Sequence, residues 1–272
     1  MALKLMYITN NTDVAKIAED AGVDRIFIDL EVIGKKERQS GMDTVQSHHK
    51  ISDIAKVKRV LKKSELLVRS NPIYDGSEKE IGEIISGGAD IVMLPYFKTI
   101  DEVKSFIDIV DGRARTCLLF ETPEAVDRAD EILSLNGIDE VFIGLNDLSL
   151  GYGKKFMFEL LADGTVEKLC LKFRLKGIPY GFGGIAAIGT GTLRAECILK
   201  EHYRLGSASV ILSRSFCNYE KVKDLDAVRS IFNNGIGCMR AFEDEIEMHS
   251  DYFNKNSKYL NQCVGKIAGD IA

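Results

Sequence analysis

Three features of this chain of 272 residues predict a (β/α)8 barrel. Eight short runs are rich in β-branched and aliphatic residues, and segments of helical period separate them, as in βα units around a parallel sheet. Most runs are almost continuously apolar, as in strands buried on both faces. Eight units favour closure, although periodicity alone leaves an open, doubly wound sheet as the alternative. The candidate strands are Lys4–Thr9, Arg25–Glu31, Leu66–Asn71, Ile91–Tyr96, Thr116–Glu121, Glu140–Asn146, Pro179–Gly183 and Ala208–Arg214.

Start signals in three of the intervening segments predict helices. In a capping box, an N-cap hydroxyl is followed three residues later by a carboxylate, and proline is favoured at the first helical position. These signals are Ser77 with Glu80, Thr99 with Glu102, and Thr122 before Pro123.

The chain has no Pro-, Ser- or Gly-rich linker and only four prolines. We therefore expect a single domain over residues 1–272, with a helical extension over about 218–272. A second segment outside the repeat, Val32–Lys50, is longer than the usual connection of about 2 to 6 residues. Such long loops are commonly functional or ordered by a partner.

The composition favours a small-molecule partner. The net charge is -5 with both signs interspersed, so no strong field favours nucleic acid or an anionic membrane. The six cysteines form no C-x-x-C pair, which disfavours a zinc site or a disulfide framework. The N-terminus does not resemble a signal peptide, and no apolar run reaches about 18 residues. We expect a cytoplasmic protein.

Polar side chains end several of the apolar strands, where the active site of a barrel is built. A carboxylate is costly to bury unless it is paired or binds a cation. Acids and arginines converging there predict a site for a metal ion and an anionic substrate. The residues are Asp29, Glu31, Arg69, Asn71, Glu121, Asn146, Asp147 and Arg214.

Glu121 and Asp147 follow adjacent candidate strands, the fifth and the sixth. Their carboxylates would lie close enough to share one hard cation such as Mg²⁺ or Mn²⁺. The alternative is that Glu121 caps the helix at Pro123 and that Asp147 caps a turn. Position alone leaves both interpretations open.

Arg69 has two interpretations as well: a clamp for a carboxylate or enolate oxygen, or a structural counter-ion to Asp29 or Glu31. His48 and His49 in the long second loop could supply a base near neutral pH or form a solvated pair. We expect the basic run of the same loop to be solvated surface. That run is Lys35, Lys36 and Arg38.

The glycine-rich stretch Gly181–Gly191, with Ser213 and Arg214 after the eighth strand, falls where many barrels bind phosphate. A plain tight turn is the alternative.

Five segments together resemble the class II pyruvate aldolases of the HpcH/HpaI group and the citrate lyase beta-subunit-like lyases. Each segment alone is a weak signal, but their order and spacing are specific. They are FIDLE at Phe27–Glu31, VRSNP at Val68–Pro72, MLPYFKTIDEV at Met93–Val103, FETPEAV at Phe120–Val126 and IGLNDLSLGYG at Ile143–Gly153.

The resemblance implies a TIM barrel of the phosphoenolpyruvate/pyruvate-binding type. It also implies a lyase that forms or cleaves a hydroxy 2-oxo acid, with an aldehyde as partner, through a pyruvate enolate bound to Mg²⁺ or Mn²⁺. Subunit exchange of C-terminal helices in the family implies a homo-oligomer. The implied roles are metal ligation by Glu121 and Asp147, binding of the oxo or enolate oxygen by Arg69, and lining of the substrate carboxylate by the backbone around Gly144, Leu145 and Asn146.

One departure concerns the base. Val32 stands where these aldolases carry a histidine, so a metal-bound water, Glu31, His48 or His49 is the candidate. Two other functions therefore stay open: cleavage of a 3-hydroxyacyl-CoA thioester of the citryl or malyl type, and a catalytically inactive barrel with a binding role.

Overall fold

The computed structural model describes residues 2–35, 48–248 and 251–271. Its eight strands are all parallel and form a closed barrel in sequence order. The first and last strands pair directly, with Lys4 opposite Ser209. Closure confirms the (β/α)8 prediction and rules out the open sheet. The strands are β1 (Lys4–Ile8), β2 (Arg25–Asp29), β3 (Glu65–Arg69), β4 (Ile91–Leu94), β5 (Arg115–Phe120), β6 (Glu140–Ile143), β7 (Tyr180–Ile185) and β8 (Ser209–Leu212).

Helices surround the barrel and follow its strands. In the described part of the chain they are α1 (Thr12–Asp20), α2 (Ile51–Val60), α3 (Ser77–Ser86), α4 (Ile100–Val110), α5 (Pro123–Asp127), α6 (Ala129–Ile132), α7 (Leu145–Gly151), α8 (Glu159–Ala162), α9 (Thr165–Leu175), α10 (Ala195–Leu205), α11 (Leu225–Met248) and α12 (Tyr252–Asp270).

Two of the three predicted helix starts are confirmed. At α4, Thr99 Oγ1 accepts from the Glu102 N–H at 3.3 Å, and the Glu102 carboxylate accepts from the Thr99 N–H at 2.8 Å. At α5, Thr122 Oγ1 accepts from the Ala125 N–H at 3.2 Å, and Pro123 is the first helical residue.

The third predicted helix start was wrong about the capping interaction. Helix α3 begins at Ser77, but its N-cap is Gly76 and no side chain caps it. The Ser77 hydroxyl instead accepts from the Tyr74 N–H at 2.9 Å. The Glu80 carboxylate accepts from the Asn71 N–H at 2.9 Å. N–H groups of the segment before α3 therefore take the side chains that the sequence pattern assigned to a capping box.

The barrel interior is packed, and ion pairs close its N-terminal end. There the buried Arg25 donates to both Glu140 carboxylate oxygens at 2.6 and 2.7 Å and to Glu65 at 2.8 Å. Apolar side chains fill the layers above, below the C-terminal ends of the strands. They are Met6, Phe27, Leu67, Ile91, Met93, Cys117, Leu119 and Phe142.

Two long helices follow the last strand. Helix α11 packs against α1, and α12 packs against α8 and α10. Asn256 in α12 donates to the Cys197 carbonyl at 3.1 Å and to the Glu201 carboxylate at 2.9 Å. Among the helices described, none is both long and apolar enough to cross a bilayer.

Candidate active site

A cavity of about 450 Å³ opens at the C-terminal ends of the strands. It brings together most of the residues that the sequence analysis selected. Glu31, which is buried, and Asn71 are the exceptions, since neither lines the cavity. The selected residues on the wall are Asp29, His48, His49, Arg69, Glu121, Gly144, Leu145, Asn146, Asp147 and Arg214.

Neighbouring elements position the two candidate metal ligands. Glu121 directly follows β5, and Asp147 lies in the first turn of α7, just after β6. Both are buried, with 3% and 8% exposure. Glu121 does not cap α5, because Thr122 is its N-cap. Its Oε1 accepts instead from the N–H of Tyr96, at 3.0 Å.

Gly144 lets Glu121 approach α7. A Cβ at this position would lie 2.7 Å from Glu121 Oε2 and 2.8 Å from Glu121 Cβ. No side chain fits at such distances. Glu121 therefore packs directly against the backbone that leads to Asp147.

The donor set fits a hard divalent cation. Mg²⁺ is commonly bound through one or two carboxylates, and substrate oxygens and waters complete its shell. Glu121 and Asp147 offer two buried carboxylates on one cavity wall. The described residues contain no group of three or more His, Cys, Asp or Glu side chains suited to a metal. Substrate oxygens and water would complete the shell of such an ion, as Mg²⁺ permits.

A cluster of four charges lies beside these ligands, at the ends of β2 and β3. Arg69 binds Asp29 through two hydrogen bonds of 2.8 Å, from Nε and Nη2. Its Nη1 lies 3.2 Å from Glu31. Lys35 Nζ lies 2.8 Å from Asp29 and 3.4 Å from Glu31. The structure thus shows the counter-ion contacts of Arg69, while its side chain also faces the cavity.

Arg69 and Asp29 stabilise each other's charged forms. Burial alone would lower the pKa of Arg69, but the carboxylates of Asp29 and Glu31 outweigh it and raise the pKa well above its usual value. Burial likewise acts to raise the pKa of Asp29, whereas Arg69 and Lys35 hold it far below its usual range. Two acids and two bases therefore compensate one another.

The expectation that Lys35 is solvated surface was wrong. The residue is only 5% exposed, because Asp29 and Glu31 provide the negative charge that a buried ammonium needs. The rest of the basic run, Lys36 and Arg38, lies outside the described residues.

The two histidines of the second loop both line the cavity. His49 Nδ1 accepts from the Asp29 N–H at 3.0 Å. Burial lowers the pKa of His49, so its neutral form prevails at neutral pH. With Nδ1 accepting, the proton of that form is on Nε2. His48 is exposed.

The backbone N–H groups expected to line a substrate carboxylate differ in whether they already have a partner. The Gly144 N–H donates to the Phe120 carbonyl at 3.0 Å. Leu145 and Asn146 are the first residues of α7, where N–H groups have no partner within the helix. Hydrogen bonds to an anion would therefore come from Leu145 and Asn146.

Strand-end reasoning missed several cavity residues. Tyr7 and Asn10 come from β1 and the turn after it, and Asn218 and Tyr219 come from the segment after β8. The Tyr7 hydroxyl donates to the Cys217 carbonyl at 3.1 Å. The polar pair Asn10–Asn11 after the first apolar run was the available signal.

The model of the HpcH/HpaI aldolase/citrate lyase family matches residues 4–168. The chain belongs to this family. Membership supports an enzyme of the lyase or aldolase type that acts on a carbon–carbon bond. Comparison with curated protein sequences gives no match.

Three solved structures, among others, resemble the fold of this chain. The HpcH/HpaI aldolase from Desulfitobacterium hafniense DCB-2 has a TM-score of 0.61 and 16% identity, and the match covers 84% of this chain and 93% of that one. An HpcH/HpaI aldolase/citrate lyase family protein from Burkholderia cenocepacia J2315 has a TM-score of 0.64 and 15% identity, and the match covers 84% of this chain and 94% of that one. Citrate synthase SbnG has a TM-score of 0.62 and 14% identity, and the match covers 84% of this chain and 94% of that one. At these sequence identities, the structural similarity shows a shared fold and nothing about activity.

Proposed function

We propose that the protein is a divalent-metal-dependent carbon–carbon lyase that forms or cleaves a hydroxy 2-oxo acid, with Glu121 and Asp147 holding Mg²⁺ or Mn²⁺. The observation that carries this proposal is the pair of buried carboxylates on one cavity wall in a member of this family. Gly144 supports it, because its missing side chain lets Glu121 reach the backbone before Asp147.

When bound, the cation supplies positive charge next to the 2-oxo oxygen, where negative charge develops as the carbon–carbon bond breaks. The N–H groups of Leu145 and Asn146 orient the substrate carboxylate. Arg69 adds a second positive charge at the cavity wall. Asp29 and Glu31 fix the plane of its guanidinium through the contacts described above.

Proton transfer requires a group that touches the hydroxyl of the substrate. Glu31 does not line the cavity and acts through Arg69 and Lys35. In its neutral form His49 carries the proton on Nε2, so it serves as a hydrogen-bond donor to the substrate oxygen. His48 is the second imidazole on the wall and is our candidate for accepting the hydroxyl proton.

The test is exchange of the pyruvate methyl protons with deuterated water, followed by proton NMR with Mg²⁺ or Mn²⁺ and after chelation. We expect metal-dependent exchange in the wild-type protein and a loss of about 100-fold or more in Glu121→Gln, since an electrostatic contact to developing charge typically supplies that much. Glu131→Gln is the matched control, because Glu131 is exposed and does not line the cavity.

Metal-dependent exchange that is lost only in Glu121→Gln would support the proposal and leave the aldehyde to be identified. Exchange that survives chelation, or that Glu121→Gln leaves intact, would contradict the metal site. If no exchange occurs although the metal binds, pyruvate is not the enolised substrate, and thioester substrates should be tested instead.

A further inference from the structure

Arg214 differs from the other cationic side chains of the cavity. Among the described residues, three such side chains line it: Lys35, Arg69 and Arg214. The first two are paired with buried acids. Arg214 is exposed, and it forms no ion pair or hydrogen bond with any part of the chain that the structure describes. Its planar set of donors is therefore available to a ligand.

The backbone next to Arg214 has an unusual shape. Strand β7 contains a bulge, since Gly181 pairs with Ser209 whereas Gly184 pairs with Ile211. Within the bulge, Gly183 has a φ of +57°, and a Cβ there would lie 2.7 Å from the Leu145 side chain. A glycine is thus required both by conformation and by space.

The bulge brings glycine backbone next to the segment that carries Arg214. A Cβ at Gly184 would lie 3.6 Å from Ser213 Cβ, which is van der Waals contact. Ser213 Oγ accepts from the Ser215 N–H at 3.2 Å, so its own proton remains available for donation. A hydroxyl and a guanidinium therefore follow β8 at the open end of the cavity, where barrels commonly bind phosphate groups.

We propose that Ser213 and Arg214, beside the Gly183–Gly184 bulge, bind a second anionic group of the substrate, a carboxylate or phosphate remote from the 2-oxo acid. This inference rests on the proposed function and specifies its substrate class. Arginine matches both anions through two parallel hydrogen bonds.

Charge and size agree with this assignment. Glu220 also lines the cavity and acts electrostatically on His49, and among the described residues it forms no ion pair with Arg214. The cavity of about 450 Å³ falls within the range of roughly 300 to 1,000 Å³ that is typical of larger ligands. Pyruvate alone would leave much of it unfilled.

The experiment measures kcat/KM for aldol addition of pyruvate to three aldehydes: succinic semialdehyde with a terminal carboxylate, glyceraldehyde 3-phosphate, and uncharged butanal. We compare wild type, Arg214→Ala and Arg59→Ala. Arg59 is also exposed and without an ion pair among the described residues, but it lies outside the cavity.

In Arg214→Ala, we expect kcat/KM for one charged aldehyde to fall about 10- to 100-fold more than for butanal, as for the loss of a hydrogen bond to a charged group. The aldehyde that loses most identifies the anion as carboxylate or phosphate. Arg59→Ala should behave as wild type. An equal loss for all three aldehydes in Arg214→Ala would overturn the proposal.

Calorimetric titration with succinate and with inorganic phosphate separates this inference from the proposed function. Suppose that no aldehyde reacts and that pyruvate shows no exchange, so that the lyase proposal fails. Binding of either anion that weakens at least about tenfold in Arg214→Ala would then still support the subsite. Binding of neither anion, or equal binding in the variant, would refute it.

Discussion

Gly144 illustrates at the residue scale how one position controls a candidate metal ligand. Its φ of -81° and ψ of 88° are accessible to L-residues other than glycine. The constraint is therefore one of space and does not come from the backbone. Glu121 and Leu119 occupy the volume that a side chain would need, with the Leu119 Cδ1 atom 3.3 Å from the Cβ position.

We predict that Gly144→Ala displaces the Glu121 carboxylate. Metal-dependent exchange of pyruvate protons should be lost, and the free energy of unfolding should fall by about 1–3 kcal/mol, as for overpacking of a filled site. The measurements are exchange by NMR and urea unfolding. Gly82→Ala in α3 is the control, since its Cβ would meet nothing within 4 Å. We expect it to be neutral or stabilising by up to about 1 kcal/mol. Normal exchange in Gly144→Ala would show that Glu121 does not need this space.

Some site residues could be predicted from sequence and others could not, for physical reasons. Glu121, Asp147 and Arg69 end apolar strands, and in a parallel barrel all such ends meet at one mouth. Lys35 lies inside a long loop, where sequence alone does not show that Asp29 and Glu31 will surround its ammonium group. The tautomer of His49 could not be predicted from sequence either, because it depends on the Asp29 N–H, which the fold brings near.

At the scale of elements, a chain of hydrogen bonds joins α3 to the loop after β2. Asn71, just after β3, donates from its N–H and its Nδ2 to the Glu80 carboxylate at 2.9 and 3.1 Å. Its Oδ1 accepts from the N–H groups of Val32 and Ile33 at 2.8 and 3.0 Å. Glu80 thereby fixes the loop that carries Lys35, although it does not line the cavity itself.

We predict that Glu80→Gln lowers the pyruvate exchange rate about tenfold and the free energy of unfolding by about 1–3 kcal/mol, because an amide nitrogen would face the donors of Asn71. Exchange is measured at saturating pyruvate, and stability by urea unfolding. Glu83→Gln, on the same helix, removes only an exposed contact with Lys79 at 3.9 Å and should change stability by less than about 1 kcal/mol. Equal behaviour of the two variants would contradict the role of Glu80.

The elements themselves were more predictable than their connections. All eight strands lie where apolar runs occur, because each run is buried on both faces. The Thr99 capping box also forms, and the further contact of the Glu102 carboxylate, with the Lys98 N–H at 2.8 Å, comes from the residue next to the cap. At Ser77 the same spacing does not form a capping box, because Tyr74 and Asn71 provide other partners. Where other donors take both groups of a local pattern, the capping box does not form.

At the scale of the whole molecule, the barrel and the helices around it bury a histidine that takes no part in the site. His202 in α10 is 0% exposed, and its ring stacks on Phe182 with centroids 3.8 Å apart. Its Nδ1 lies 2.8 Å from Ser207 Oγ. Its Nε2 is buried without a hydrogen-bond partner among the described residues.

The homo-oligomer and the cytoplasmic location, which the sequence analysis predicted for the whole protein, stay predictions.

Burial lowers the pKa of His202 to about 3. In the unfolded chain the pKa is about 6.5, so between these values the unfolded state takes up a proton that the folded state does not. Its contribution to stability is therefore complete above about pH 6.5 and is lost as the pH falls towards 3. The slope approaches about 1.4 kcal/mol per pH unit. Burial also lowers the pKa of His49, which acts in the same direction.

We predict that the wild-type protein loses roughly 2 kcal/mol more stability between about pH 7 and pH 5 than His202→Phe does, from the slope of one buried histidine. Phenylalanine keeps a ring against Phe182 but binds no proton. Urea unfolding at both pH values measures the difference. His49 remains in both proteins, so its share cancels. Ser207→Ala is the control, because it removes the Nδ1 partner and leaves the titrating ring in place. The same pH dependence in wild type and His202→Phe would mean that folding does not lower the pKa of His202.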